Sequence, residues 1–172
     1  MVYKYACQNY VSDKMSKAVG LSLKGLSRKD GIMIAKFIKG KDLKLMIEYL
    51  ENVLKFKKAI PYTQYNSGLS HQKGKIGSGR YPITACEHFL KILKSAKANA
   101  NNKNLNVDNL VIKNVCVQQA SATHRYGRHY GRVVKQAHIE VVLCEKEEKK
   151  NDKKEERRKR RTENNSKNKT KQ

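Results

Sequence analysis

Apolar residues recur three or four positions apart in three stretches of the chain, which is the spacing of an amphipathic helix. Ser27 is the expected N-cap of the first helix, with Asp30 placed three residues later as in a capping box, and Asp42 is the expected N-cap of the second. Pro82 fits the first turn of the third. The expected limits and buried faces are 28–39 with Ile34, Phe37 and Ile38; 43–57 with Leu43, Met46, Ile47, Leu50 and Leu54; and 82–101 with Cys86, Phe89, Leu90, Leu93, Ala96 and Ala100.

Alternation of apolar and polar residues predicts strands elsewhere. Val19, Leu21 and Leu23 alternate with small or polar residues, which predicts a half-buried strand with these three side chains on one face. Residues 109–117 are rich in valine and isoleucine, and 137–144 place alternate apolar residues on one face. These last two strands, with the segment between them, predict a long β-hairpin.

The segment between the hairpin strands, Gln118–Gln136, is named the arm. It contains Tyr-Gly-Arg twice and no carboxylate. Its like charges repel and its glycines raise the entropy cost of ordering, so it cannot bury itself; with about nine residues on each side it has roughly 30 Å of reach. A polyanion would order it, because phosphates neutralise arginine and bases stack on tyrosine and arginine; the alternative is a disordered, solvated loop. Its candidate nucleic-acid contacts are His124, Arg125, Tyr126, Arg128, His129, Tyr130, Arg132 and Lys135.

A second segment with similar chemistry, Thr63–Arg80, is named the basic loop. It contains four glycines and no acidic residue. Glycine lets a backbone approach a phosphate closely, and the cations supply the attraction, so this segment is a second candidate contact with nucleic acid. Its residue order is not that of a nucleotide-binding P-loop, and an ordinary mobile surface loop is the alternative. The residues concerned are His71, Lys73, Lys75 and Arg80.

The charge balance favours the same class of partner. The chain carries 38 lysines and arginines against 15 acidic residues, for a net charge of +23. Residues 145–172 hold 13 of the basic and 7 of the acidic residues, so most of the net charge lies on the body. A compact body this basic repels itself unless a polyanion neutralises it. RNA or DNA fits better than a membrane, because the charge lies in loops and no run approaches the roughly 18 apolar residues of a membrane span.

The composition of the chain changes near its end. Of the 28 residues in 145–172, 20 are charged and none is apolar, so this segment is expected to be disordered on its own. Its basic run Arg157–Arg161 is typical of a nuclear import signal or an RNA contact.

Neither a cofactor nor a metal is expected. The four cysteines are scattered and form no Cys-x-x-Cys, and His124 and His129 lie in the arm without a carboxylate or cysteine nearby. A ribonuclease that uses one of these histidines is disfavoured, because a general base needs a held geometry.

The order of these features resembles the family of large-subunit ribosomal protein twenty-two, which is called seventeen in eukaryotic ribosomes, in its archaeal and eukaryotic branch. The resemblance covers roughly residues 10–147, and the matching segments keep their order and spacing. They are Tyr65–Gly68, His71, Lys73-Gly74, Gly79–Pro82, Phe89–Leu93, Ala98–Ala100, Val107–Ile112, Gly127-Arg128 and His138–Leu143.

The resemblance implies an α+β fold. Three helices would pack on a small three-stranded antiparallel sheet, with one long extended β-hairpin at about 109–144. Residues 1–147 would form a ribosomal RNA-binding domain, and 148–172 a charged C-terminal tail that is disordered unless bound. The resemblance also adds three residues to the expected RNA contacts, namely Tyr65, Asn66 and Tyr81.

The resemblance further implies a structural constituent of the large ribosomal subunit, and not an enzyme, that contributes to subunit assembly and translation. It would be cytoplasmic, with nuclear or nucleolar transit during assembly if the source is eukaryotic. Its partners would be large-subunit ribosomal RNA, neighbouring large-subunit proteins and the nascent polypeptide, because the family's hairpin lines the peptide exit tunnel. Arg125, Arg128, His129 and Arg132 would then lie at the tunnel wall. A free-standing RNA chaperone or general RNA-binding protein is the alternative.

Overall fold

A computed structural model of the chain describes residues 5–6 and 14–146. Its elements are β1 Met15–Lys24, α1 Arg28–Ile38, α2 Leu43–Leu54, β2 Ile60–Pro61, β3 Gly79–Arg80, α3 Ile83–Asn102, β4 Leu110–Gln119, β5 Thr123–His124, β6 Val133–Val134 and β7 Gln136–Glu145. Strands β1, β7 and β4 form an antiparallel sheet in that order, and β2–β3 and β5–β6 form two small sheets. The expected α+β fold is confirmed. The tail at 148–172, with its basic run, lies outside the described residues.

The core lies between the helices and one face of the three-stranded sheet. Helix α1 packs against β4, α3 packs against β1 and β7, and α2 packs against α3. The predicted helix faces are buried, except that Phe37, Ile47 and Leu54 lie partly exposed at the edge of the core. The apolar face of β7 is fully buried at Ile139 and Leu143. This packing fixes both strands from which the arm projects.

The opposite face of β7 is also buried, at Glu140 and Val142. The start of the chain contributes to this face, because the backbone N–H of Ala6 donates a hydrogen bond to Oε2 of Glu140 at 3.0 Å. Beside it, Nζ of Lys17 lies 5.2 Å from the ring centroid of Tyr5. The sheet is therefore buried on both faces along its central strand.

The predicted face of β1 is wrong. Ala18 is buried and Leu21 is 51% exposed. A bulge lies between Gly20 and Leu23, where β1 has one residue more than β7, so the buried side of the strand switches there and Leu23 packs on the core. A Cβ on Gly20 would lie 2.6 Å from Cδ1 of Ile92, so α3 packs closely against the strand at this point.

Neither Ser27 nor Asp42 caps its helix through a side-chain hydrogen bond. Oδ1 of Asp30 accepts a hydrogen bond from the hydroxyl of Tyr62 at 2.9 Å, and Oδ1 of Asp42 lies 3.7 Å from Nζ of Lys146. Each carboxylate has thus taken a distant partner. Helix α2 also ends at Leu54, three residues earlier than predicted, and Phe56 just beyond it has a left-handed backbone conformation that a helix cannot continue through. The N-cap positions of the three helices are held by Ser27, Asp42 and Pro82, so Pro82 stands one residue before the helix.

Candidate nucleic-acid interface

Hydrogen bonds join the two strands at the base of the arm and tie one of those strands to the body. The backbone N–H of Ala120 donates to the carbonyl oxygen of Gln136 at 3.1 Å, and Nε2 of the buried Gln136 donates to Oγ1 of Thr123 at 2.9 Å. The backbone N–H of Gly25 donates to the carbonyl oxygen of Lys135 at 3.0 Å. The arm therefore leaves the sheet in a direction that the body sets.

The outer part of the arm folds back on itself as a narrow hairpin. Beyond the β5–β6 pair, the N–H of Arg125 donates to the carbonyl oxygen of Arg132 at 2.9 Å. Gly127 and Gly131 have φ of +61° and +87°, a conformation that favours glycine, so the two Tyr-Gly-Arg repeats supply the turn. Because the sheet extends further than predicted, the projecting part is 120–135, with about eight residues on each side, and reaches roughly 26 Å instead of 30 Å.

All residues of the arm from 121 to 133 are exposed. Tyr126 is 91% exposed and Tyr130 is 84% exposed, which leaves both ring faces open to a stacking partner. The structure thus brings the predicted arm residues together on one projection without a carboxylate. They are His124, Arg125, Tyr126, Arg128, His129, Tyr130, Arg132 and Lys135, and each is exposed.

The basic loop is a second projection. At its base, the N–H of Tyr62 donates to the carbonyl oxygen of Ser78 at 3.0 Å; further out, the N–H of Gln72 donates to the carbonyl oxygen of Gly77 at 3.1 Å. Gly74, with φ of +108°, forms the far turn. The predicted residues Tyr65, Asn66, His71, Lys73, Lys75 and Arg80 are exposed, and Tyr81 is partly buried.

Two tyrosines anchor this loop. Besides the bond from Tyr62 to Asp30, the hydroxyl of Tyr81 donates to Oε1 of Gln72 at 3.3 Å. Burial, and then the hydrogen bond to Asp30, raises the pKa of Tyr62. Tyr62 therefore stays protonated and keeps donating at neutral pH. Tyr81, predicted as an RNA contact, also shapes the loop.

The start of α1 lies between the two projections, and sequence reasoning missed its two cations. Arg28 and Lys29 are exposed, and Nζ of Lys29 lies 5.3 Å from the ring centroid of Tyr65. A Cβ on Gly31 would lie 2.9 Å from Cγ1 of Val117, so the same helix end packs against the hairpin near the arm. Adjacent cations in the first turn of a helix are unfavourable next to the helix dipole. Their presence in the sequence was the signal that could have identified them as candidate RNA contacts.

Metal binding, membrane insertion and thiol chemistry can each be checked in the part of the chain that the structure describes. Within 5–6 and 14–146, no group of His, Cys, Asp and Glu side chains is arranged to hold a metal ion, and no helix is long and apolar enough to cross a membrane. The thiol of Cys86 lies in the core, where burial raises its pKa to about 12. This cysteine is therefore a core residue and not a nucleophile at neutral pH.

Comparison with known proteins gives one family. The family model described as Ribosomal protein L22p/L17e matches residues 24–144, a range that contains both the basic loop and the arm. The large ribosomal subunit protein uL22 of Sulfolobus acidocaldarius is 38% identical over 151 residues, which cover 82% of this chain and 96% of that protein.

Two further relatives agree. The uL22 protein of Methanocaldococcus jannaschii is 36% identical over 140 residues, covering 77% of this chain and 89% of its own length. The uL22 protein of Methanosphaera stadtmanae is 34% identical over 148 residues, which cover 82% of this chain and 96% of that protein. Since the family model spans well over half of the chain and the relatives match over nearly their full length, the chain belongs to the ribosomal protein L22p/L17e family.

Proposed function

We propose that the protein is a structural constituent of the large ribosomal subunit and binds large-subunit ribosomal RNA through the arm and the basic loop. The exposed run 121–133 carries this proposal. None of its residues is buried, so its arginines and tyrosines contribute little to stability and are free to serve a partner. Membership of a ribosomal protein family supports ribosomal RNA as that partner.

The body and the projections have different roles. Residues 1–147 act as one RNA-binding domain, in which the helices and the sheet fix the direction of the arm and the loop. Cations neutralise phosphates and release counterions, while Tyr126 and Tyr130 stack on bases. The bound protein thereby holds RNA segments in a fixed arrangement, which contributes to subunit assembly and translation without any chemical step.

The narrowness of the arm supports a role in the peptide exit tunnel. Neighbouring strands lie only about 5 Å apart, so a two-stranded hairpin enters a space between RNA helices that the body cannot enter. Its tip residues Arg125, Arg128, His129 and Arg132 then lie at the tunnel wall, within reach of the nascent polypeptide. Neighbouring large-subunit proteins are the other partners. The site of action is the cytoplasmic ribosome, with nucleolar transit if the source is eukaryotic.

Ultraviolet crosslinking in cells, with both the RNA and the crosslinked peptides identified, tests the proposal. We expect crosslinks from 123–132 and 65–80 to large-subunit ribosomal RNA. The lysine-rich surface of α3 around Lys91 serves as an internal control and should give few. Crosslinks spread over messenger and other RNAs, with no enrichment of ribosomal RNA, would instead identify a free-standing RNA chaperone or general RNA-binding protein.

A further inference from the structure

The turn that ends α2, Lys55–Lys58, holds an aromatic residue in an unusual conformation. The N–H of Phe56 donates to the carbonyl oxygen of Val53 at 3.0 Å, and the N–H of Lys57 donates to that of Asn52 at 2.9 Å. These two bonds define a Schellman motif, whose left-handed position is usually glycine. Phe56 occupies that position with φ of +56°, which strains a residue with a side chain.

Burial does not compensate for this strain. Phe56 is 60% exposed, although the core lies close by. The ring of Tyr81 lies 5.4 Å from the ring of Phe56, tilted by 50°, and supports it from one side. A strained residue that keeps a large apolar side chain in solvent points to a role outside the fold.

The surroundings of Phe56 are basic. Lys55 and Lys57 are both exposed, and neither forms an ion pair with any residue that the structure describes. The nearby carboxylate of Glu51 lies 3.6 Å from Nζ of Lys94, which neutralises it in part. The turn therefore presents a supported ring between two available cations, the combination with which proteins bind unpaired nucleotides.

We propose that Phe56 stacks on an unpaired base of the RNA and that Lys55 and Lys57 bind the flanking phosphates. This rests on the proposed function and adds to it a subsite outside the arm and the basic loop. The subsite is continuous with the basic loop, because Tyr81 supports Phe56 and directly follows Arg80. A nucleotide satisfies the site as a single unit, since it brings a flat ring and a negative charge together.

The absence of tryptophan from the chain allows a direct test. Phe56→Trp places a single fluorescent reporter in the turn, and Leu45→Trp places one at a matched position on α2, since Leu45 is 58% exposed. Each protein is titrated with RNA extracted from the cell's own large subunits. We expect the Phe56→Trp fluorescence to be quenched and its access to acrylamide to fall, with little change for Leu45→Trp.

Affinity measurements with further variants separate stacking from folding. Phe56→Ala should bind the RNA roughly tenfold more weakly, as for other stacking aromatics, and Phe56→Tyr should bind as the wild type does. Phe56→Gly relieves the left-handed strain, so its melting temperature should not fall while its affinity does. A lower melting temperature with unchanged affinity would show that Phe56 only packs against Tyr81, and would overturn the inference.

Filter retention of the RNA in the same samples separates this inference from the proposed function. If the RNA is retained but neither reporter responds, or both respond equally, the subsite is wrong and the proposed function stands. If the RNA is not retained, both are overturned. A Phe56→Trp reporter that is open with RNA but shielded in assembled large subunits would assign the turn to a neighbouring protein and also overturn the inference.

Discussion

A single buried hydroxyl joins the basic loop to the first helix. Tyr62 lies directly before the loop and donates to Asp30, which belongs to α1. Burial and the adjacent carboxylate both disfavour the phenolate, so the pKa of Tyr62 is raised in the folded protein. The protonated hydroxyl thus fixes where the loop leaves the core.

Replacing Tyr62 with phenylalanine should lower the free energy of unfolding by about 1.5–3 kcal/mol, since a hydrogen bond to a carboxylate is removed. The raised pKa adds a test by pH. Tyr62 contributes its full stability below the pKa of an unfolded tyrosine, about 10, and loses it as the pH rises towards its folded value. Urea unfolding at a series of alkaline pH values should therefore show the free energy of unfolding falling more steeply with pH for the wild type than for Tyr62→Phe. Equal slopes of this free energy against pH would contradict the link between Tyr62 and Asp30.

At the scale of single residues, exposed cations could be predicted from the sequence and polar partners could not. Arg125 and Arg132 lie in a run without carboxylates, and no fold buries such a run cheaply. Asp30 was predicted to cap α1 from its spacing to Ser27, which is local information. Its actual partner, Tyr62, is 32 residues away, and only the tertiary fold brings the two together.

Among the elements, the helices were predictable because an apolar period repeats along each of them and a shift of one or two residues at an end leaves the buried face unchanged. Strand β1 was not predictable in this way, because a single extra residue reverses its buried face. The bulge directly follows Gly20, which packs closely against Ile92 of α3, so this part of the strand is shaped by contacts that the local sequence pattern does not contain.

Changes in the arm should alter RNA affinity without altering stability. Replacing Arg125, Arg128 and Arg132 together by alanine should leave the melting temperature nearly unchanged, because all three lie beyond the core. Each phosphate that the variant no longer neutralises should reduce the slope of log affinity against log salt by about 0.7–0.9. Filter binding of large-subunit ribosomal RNA over a series of salt concentrations would show the weaker affinity and the flatter slope.

A matched triple variant controls for total charge. Lys36, Lys39 and Lys91 are exposed on or beside α1 and α3, outside both projections, and their replacement by alanine removes the same three charges. This variant should keep a slope close to that of the wild type. If both triple variants show the same reduction in slope, overall charge and not the arm determines RNA binding.

At the scale of the whole molecule, the chain has a net charge of +23, of which residues 1–144 carry +17. Within the residues that the structure describes, most of the cations lie on the arm, the basic loop and the outer faces of the helices, where water screens them. Composition alone predicted a polyanionic partner. It did not predict that Arg28 and Lys29 lie between the two projections, because this depends on how α1 packs on the hairpin.

Salt should therefore act in opposite directions on the free and the RNA-bound protein. Raising sodium chloride from about 0.1 M to 1 M shortens the Debye length from about 10 Å to 3 Å, which screens self-repulsion and should raise the melting temperature of the free chain. In the complex, RNA stabilises the folded state by binding it, and the same salt weakens that binding steeply, so the melting temperature should fall towards that of the free chain. Thermal unfolding with and without ribosomal RNA measures both. If added salt also lowers the melting temperature of the free chain, ion pairs such as Lys44–Asp108 stabilise the fold by more than its net charge destabilises it.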